Sequence, residues 1–173
     1  MSTLKVGTIQ DHTNSITAIT IDSAGRVNQP AKPAFRARYD QSAQGGVQGT
    51  IVFNTEDYDI GGNYNTSNGR FTAPIAGIYQ FQFDALVSEN SSGAMLADNS
   101  PIAVHFTKNG AEGVWSQRVY HRISGATQFN TMTKIDNIQL NATDYVNVVV
   151  TTKYAYYDAT GQFDPVFQGF LVS

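Results

Sequence analysis

The chain has 173 residues, a formal net charge of −3 and no cysteine. This length suits one domain with a short extension, and the absence of cysteine excludes disulfides, thiolate metal sites and thiol catalysis. The small net charge and scattered basic residues argue against a nucleic-acid surface, and no apolar run approaches the roughly 20 residues that insert across a membrane.

Residues 1–29 differ in character from the rest of the chain. They alternate apolar and polar residues around two small turns, "HTNS" and "SAGR", but hold too few apolar residues to form a core. We therefore expect this N-terminal segment to form β structure only with partners, because ordering it alone costs conformational entropy. The apolar residues expected to meet those partners are Leu4, Val6, Ile9, Ile19, Ile21 and Val27.

The prolines of "NQPAKP", Asn28–Pro33, favour extended backbone and predict a linker. We therefore divide the chain into the N-terminal segment, residues 1–29, and a head, residues 30–173.

The head shows little helical periodicity. Aromatic and β-branched residues alternate with polar ones, and Gly, Asn and Asp separate the runs. This pattern predicts an all-β fold, an antiparallel two-sheet jelly-roll sandwich of about ten strands. The predicted strands are Phe35–Tyr39, Thr50–Asn54, Ile78–Val87, Ile102–Lys108, Val114–Ile123, Gln128–Leu140, Tyr145–Tyr156 and Val166–Val172.

The strand Ile78–Val87 has one aromatic face. Tyr79, Phe81 and Phe83 fall on that face, which we expect to pack into the core, and Gln80 and Gln82 fall on the other. The preceding turn, "APIAG", contains a proline that cannot donate a hydrogen bond and a glycine that is free to turn the chain into the strand.

Antiparallel strands allow the loops to be sorted into two ends. "APIAG", "NGAE" and "NATD" fall at a base beside the linker, and residues 89–100, 124–127 and 154–165 fall at the top. Long loops on a rigid sandwich commonly carry recognition. The candidate receptor-binding residues are Met95, Asp98, Tyr154, Tyr156, Tyr157 and Asp158. The alternative is that the tyrosines only cover a neighbouring loop.

Catalytic and metal-binding patterns are missing. His12, His105 and His121 lack metal-ligand spacing, and neither a nucleophile elbow nor a phosphate-binding loop occurs. We therefore predict no enzyme and no cofactor. Asp57 and Asp59 lie near glycines, and carboxylate oxygens suit calcium, but their spacing does not match a calcium loop, so calcium is only a weak hypothesis.

From Ala34 to Val172 the chain resembles the globular head of complement component one-q, in the tumour-necrosis-factor-like superfamily. The run "GRFTAPIAGIYQFQF" corresponds to the family's "GxFxxPxxGxYxFxF" signature, and Thr143 and Ala73 stand where the family usually has Gly and often has Cys. The other matching motifs are "PAFRARY", "VHFTKNG", "LNATDYVNVVV" and "FQGFLV".

The family's heads are homotrimers, so the resemblance implies that the sheet containing Ile78–Val87 faces a threefold axis. Gln80 and Gln82 would then point towards the other subunits, and Thr133 and Phe167 would lie near the axis. The alternative is that the glutamines simply face water, since alternation alone predicts that arrangement.

The N-terminal segment resembles those that open tail-fibre and appendage proteins of tailed bacteriophages, where they join a distal domain to the particle. Together the two resemblances imply a homotrimeric virion protein, made in the host cytoplasm and carried on a surface appendage. Its head would bind a host surface glycan or protein, and its N-terminal segment other virion proteins. Two alternatives stay open: a virion adaptor or decoration protein whose head binds another virion protein, and a secreted bacterial lectin-like protein.

Overall fold

The computed structural model describes residues 4–89, 91–93, 101–113, 118–121, 130–158 and 160–173. All regular secondary structure in these ranges is β structure, as predicted. The strands are β1 Thr8–Gln10, β2 Thr17–Ile21, β3 Val27–Asn28, β4 Ala34–Arg38, β5 Gly45–Thr50, β6 Thr55–Ile60, β7 Tyr64–Asn65, β8 Arg70–Thr72, β9 Gly77–Ser88, β10 Ile102–Lys108, β11 Val119–His121, β12 Asn130–Leu140, β13 Tyr145–Tyr157 and β14 Val166–Leu171.

The head is an antiparallel sandwich, which confirms the predicted fold class. One layer has the order β12-β9-β14-β4-β6. In the other, β10 pairs with β11 and β13, while β5 and β8 also pair with β13 and β7 pairs with β8. The layers meet where the last residues of β13 pair with the end of β9, through Tyr154↔Ser88 and Tyr156↔Leu86.

Aromatic side chains from both layers form the core. Phe81 on β9 lies 6.1 Å from Phe106 on β10, and Phe71 on β8 lies 5.6 Å from Phe81, measured between ring centroids. Burying a side chain of this size contributes roughly 1.5–3 kcal/mol to stability. The predicted faces of β9 are confirmed, because Tyr79, Phe81 and Phe83 are buried in this core.

Phe167, which the resemblance placed near a threefold axis, points its side chain into the core of its own head. Its side chain is fully buried, with ring centroids 4.9 Å from Phe35 and 5.5 Å from Phe53. Alternation along β14 therefore points Gln168 and Phe170 outward instead.

The predicted strand Thr50–Asn54 is displaced in the structure. The strand β5 ends at Thr50, and Ile51 and Phe53 are buried without belonging to a strand. The strand β6 was not predicted, because its sequence, "TEDYDI", has three acidic residues and none of its side chains is buried. Its Asp57 contacts both Arg36 and Arg38.

The N-terminal segment forms its own antiparallel sheet, β1-β2-β3, in the single chain. The expectation that it takes up β structure only with partners is therefore wrong. Its two turns are fixed locally: Asp11 accepts hydrogen bonds from the backbone of Thr13 and Asn14, and Asp22 accepts from Ala24 and Arg26. Such Asx-type turns offset part of the ordering cost.

Candidate functional site

The outward face of β12-β9-β14-β4-β6 is defined by strand register, and we call it the assembly face. Residues directly opposite each other on paired strands share a face. Three rows of such residues cross the five strands, each with one residue per strand in the order β12, β9, β14, β4 and β6. From base to top, the rows are Asn137, Gln80, Phe170, Ala34 and Ile60; then Ile135, Gln82, Gln168, Arg36 and Tyr58; then Thr133, Asp84, Val166, Arg38 and Thr55. The structure thus brings Gln80, Gln82 and Thr133, three of the four predicted axis residues, onto one face.

Hydrogen bonds join side chains across this face. Gln168 Nε2 donates to Gln82 Oε1 at 3.1 Å, and Gln82 Nε2 donates to Asp84 Oδ2 at 2.6 Å. Thr133 Oγ1 donates to the other oxygen of Asp84 at 2.7 Å. The side chains are therefore held in place within the single chain. In these bonds Gln82 uses one donor and one acceptor site and Gln168 one donor site, so each amide keeps sites for an outside partner.

Apolar side chains lie beside these polar groups. Phe170 and Ile135 are 44% and 53% exposed, and Ile78, which lies one row nearer the base opposite Gln139, is 41% exposed. Sequence reasoning missed Phe170 because it placed the other phenylalanine of "VFQGF" on this face. A broad face that combines exposed large apolar groups with ordered amides is typical of a protein–protein contact.

A cluster of charges lies at the top of this layer. Arg38 lies 2.9 Å from Asp40, 3.1 Å from Asp57 and 3.7 Å from Asp164. The carboxylate of Asp164 is buried, and neither of its oxygens has a hydrogen-bond partner. Burial, together with Asp40 and Asp158, raises the pKa of Asp164, while Arg38 opposes that rise.

The base of the head is closed by tight turns, as predicted from the loop order. The carboxylate of Asp144 accepts from Asn109 Nδ2 at 2.7 Å and from the backbone of Asn141 at 2.8 Å, and lies 2.9 Å from Lys108 Nζ. The backbone of Thr143 donates to Ala73. The three predicted base turns are thus tied to one another.

The top of the head holds the candidate receptor-binding residues. Tyr154, Tyr157 and Asp158 are half-buried, whereas Met95 and Asp98 lie outside the described residues. The prediction that Tyr156 is a contact residue is wrong, because it is 5% exposed and its ring lies 6.2 Å from that of Phe163.

Residues 40–45 also lie at the top, although the sequence did not predict a loop there. The ring of Tyr157 lies 5.0 Å from that of Tyr39, and a side chain at Gly45 would meet the hydroxyl of Tyr157 at 2.5 Å. Tyr156 and Tyr157 therefore pack between neighbouring loops, as the alternative interpretation held. Of the candidate receptor-binding residues that the structure describes, Tyr154 and Asp158 are the ones that remain available to a ligand.

Among the described residues, no three histidine or acidic side chains lie close enough together to hold a metal ion. Asp57 is engaged by arginines, and Asp59 Oδ2 accepts from the backbone of Tyr64. His105 is buried with Nε2 2.7 Å from Glu112, and burial lowers its pKa.

Known proteins resemble the head in sequence and in fold. The model of the C1q domain matches residues 34–172. The globular domain of zebrafish complement 1qA protein superposes with a TM-score of 0.57 at 16% identity, over 82% of this chain and 98% of that chain. The Eiger TNF of S. frugiperda superposes with a TM-score of 0.52 at 10% identity, over 82% and 94%.

No curated protein sequence matches the chain significantly. The C1q-domain match nevertheless covers the whole sandwich from the first residue of β4 through β14. The chain therefore belongs to the C1q domain family.

Proposed function

We propose that the chain is a non-enzymatic phage virion protein, a homotrimer whose C1q-type head binds the host surface at its top end. The observation that carries the proposal is the assembly face. Its side chains are ordered by hydrogen bonds in the single chain, yet Phe170, Ile78 and Ile135 stay exposed. A second and a third copy would cover these apolar groups.

Trimerisation would place three identical top ends side by side. Tyr154 and Asp158 offer an aromatic face and a carboxylate at that end, which suit a saccharide or a protein surface. Individually weak contacts would gain by avidity when three sites engage one surface.

The virion location rests on the N-terminal segment and its resemblance to phage appendage segments. That segment emerges at the base, because Pro33 O accepts from the backbone of Leu171 at the end of β14. The top is therefore free to face away from the particle.

Two experiments test the proposal. Recovery of the protein from purified particles would support the virion assignment, and its presence only as a free secreted protein would contradict it. Binding of the labelled protein to cells of the bacterial host would support recognition. Binding only to another virion protein would instead identify an adaptor or decoration protein.

The binding end is tested with a pair of variants. We expect Tyr154→Ser, at the top, to weaken cell binding by about tenfold or more, since loss of one contact is repeated at three sites. The matched control is Ile75→Ser, at an exposed position of a base turn, which we expect to bind like the unaltered protein. Equal loss in both variants would contradict binding through the top.

A further inference from the structure

The sheet of the N-terminal segment has one apolar face and one polar face. In the register, Ile9 lies opposite Ile19 and Val27 lies opposite Ile21, and Ile19 and Ile21 are two residues apart on one strand. These apolar side chains therefore share a face. The same register places Thr8, Thr20 and Asn28 together on the other face.

The apolar face is open in the single chain. Val27 is 64% exposed, Ile9 47% and Ile21 37%. The strands of this sheet are only 3, 5 and 2 residues long, so the sheet buries little apolar surface of its own. The face is thus incomplete without a partner.

The position of the segment indicates which partner is near. Only the linker residues 29–33 separate β3 from β4, and five residues span at most about 18 Å when fully extended. The linker is also held at the base, where Lys32 Nζ donates to Val172 O at 3.3 Å. Phe170, which pairs with Ala34 at the end of the linker, and Ile78 are exposed at that end of the assembly face. The N-terminal sheet is therefore tethered at the base, next to the proposed contact between heads.

The chemistry of the face favours identical copies. No charged residue lies in β1, β2 or β3. Lys5 precedes β1, and Asp11, Asp22 and Arg26 lie in the turns. An uncharged apolar face is complementary to itself. Segments tethered to one trimeric head would also meet at millimolar effective concentration.

We propose that the apolar faces of three N-terminal segments pack against one another to form a three-sided β structure beneath the heads. This proposal rests on the proposed homotrimer. The polar face and the outer edges of β1 and β3 then point outward. The contact with the particle would use those polar surfaces rather than the isoleucines and Val27.

The absence of native cysteine permits a direct test on the full chain. The variants Val27→Cys and Asn28→Cys alter adjacent residues on opposite faces of the same strand. On mild oxidation we expect Val27→Cys to form covalent dimers at least about tenfold faster than Asn28→Cys, because its thiols converge at high effective concentration. Before oxidation, we also expect its thiol to react more slowly with a maleimide.

Light scattering under reducing conditions distinguishes a failure of the three-sided packing from a failure of the proposed trimer. If both variants have the mass of a trimer and crosslink at equal rates or not at all, the three-sided packing is overturned while the trimer stands. A trimer in which the Val27→Cys thiol is the more reactive would leave the face open for another protein, which also overturns the packing. A single-chain mass would overturn both the packing and the proposed trimer.

Discussion

At the scale of single residues, Asp144 links the turns at the base of the head. Hydrogen bonds from Asn109, Lys108 and Asn141 lower the pKa of its carboxyl to about 2, from an ordinary value of 3.8. A lowered pKa in the folded state means that ionised Asp144 favours folding. Its contribution is complete above pH 4 and is lost as the pH falls through the interval between these two values.

We expect Asp144→Asn to lower the free energy of unfolding at pH 7 by about 1–2 kcal/mol, because a charged acceptor of several hydrogen bonds becomes neutral. The loss should shrink towards pH 2, where the native carboxyl is itself about half protonated. Denaturant titration at both pH values measures the difference. The control is Glu56→Gln, an exposed carboxylate, and an effect of Asp144→Asn that does not change with pH would contradict the assignment.

Asp164 has the opposite behaviour. Its pKa is raised, chiefly by burial, so ionising it disfavours the folded state. Stability from this group is present at low pH and falls as the pH rises past the ordinary carboxyl value of about 4.

We therefore expect Asp164→Asn to raise the free energy of unfolding at pH 7 by about 1 kcal/mol, since it removes a buried charge without hydrogen bonds. The gain should be absent at pH 3.5. Thermal unfolding at the two pH values provides the measurement. If Asp164→Asn destabilised the protein at pH 7, the contact with Arg38 would outweigh the cost of burial.

At the scale of elements, the sequence predicted the strands that carry an alternating apolar face. The bounds of β10 were predicted fully, and those of β9, β12 and β13 within two residues. The strands β5 to β8 were missed or displaced. Gly45, Gly46 and Gly49 give β5 no alternation, and β6 has three acidic residues and no buried side chain.

The dependence on alternation also explains which residues of the assembly face could be predicted from the sequence. Gln80, Gln82 and Thr133 were placed on one surface by alternation and by the resemblance, because polar residues alternate with buried ones on β9 and β12. In "VFQGFL" apolar residues fall on both faces, so alternation could not decide between Phe167 and Phe170. The deciding residue is Gly169, whose inward position lies against Phe81.

A side chain at Gly169 has no room. An added Cβ would lie 2.6 Å from Phe81 Cδ1 and 3.0 Å from Gln80 O. We therefore expect Gly169→Ala to lower the free energy of unfolding by about 1–3 kcal/mol through overpacking. Gly7→Ala is the control, because an added Cβ there meets nothing within 4 Å. Equal stability of the two variants would show that β14 and β9 do not pack as described.

At the scale of the whole molecule, the assembly face joins the fold to the proposed function. We expect Phe170→Asp to break the trimer, because it places a charge among apolar groups at a buried contact. Tyr120→Asp, at an exposed position on β11 in the other layer, is the matched control and should leave the trimer intact. Analytical ultracentrifugation of both variants, with circular dichroism to verify folding, checks this. Dissociation by Tyr120→Asp but not by Phe170→Asp would move the contact to the other layer.

The most direct test of assembly through the head is the mass in solution, by light scattering, of the full chain and of a chain that begins at Ala31. We predict three times the 18.8 kDa of one chain for the full-length protein, and a trimer again for the shorter chain. A trimer for the full chain alone would assign assembly to the N-terminal segment instead of the assembly face. A single-chain mass for both would contradict the proposed trimer and the avidity that depends on it.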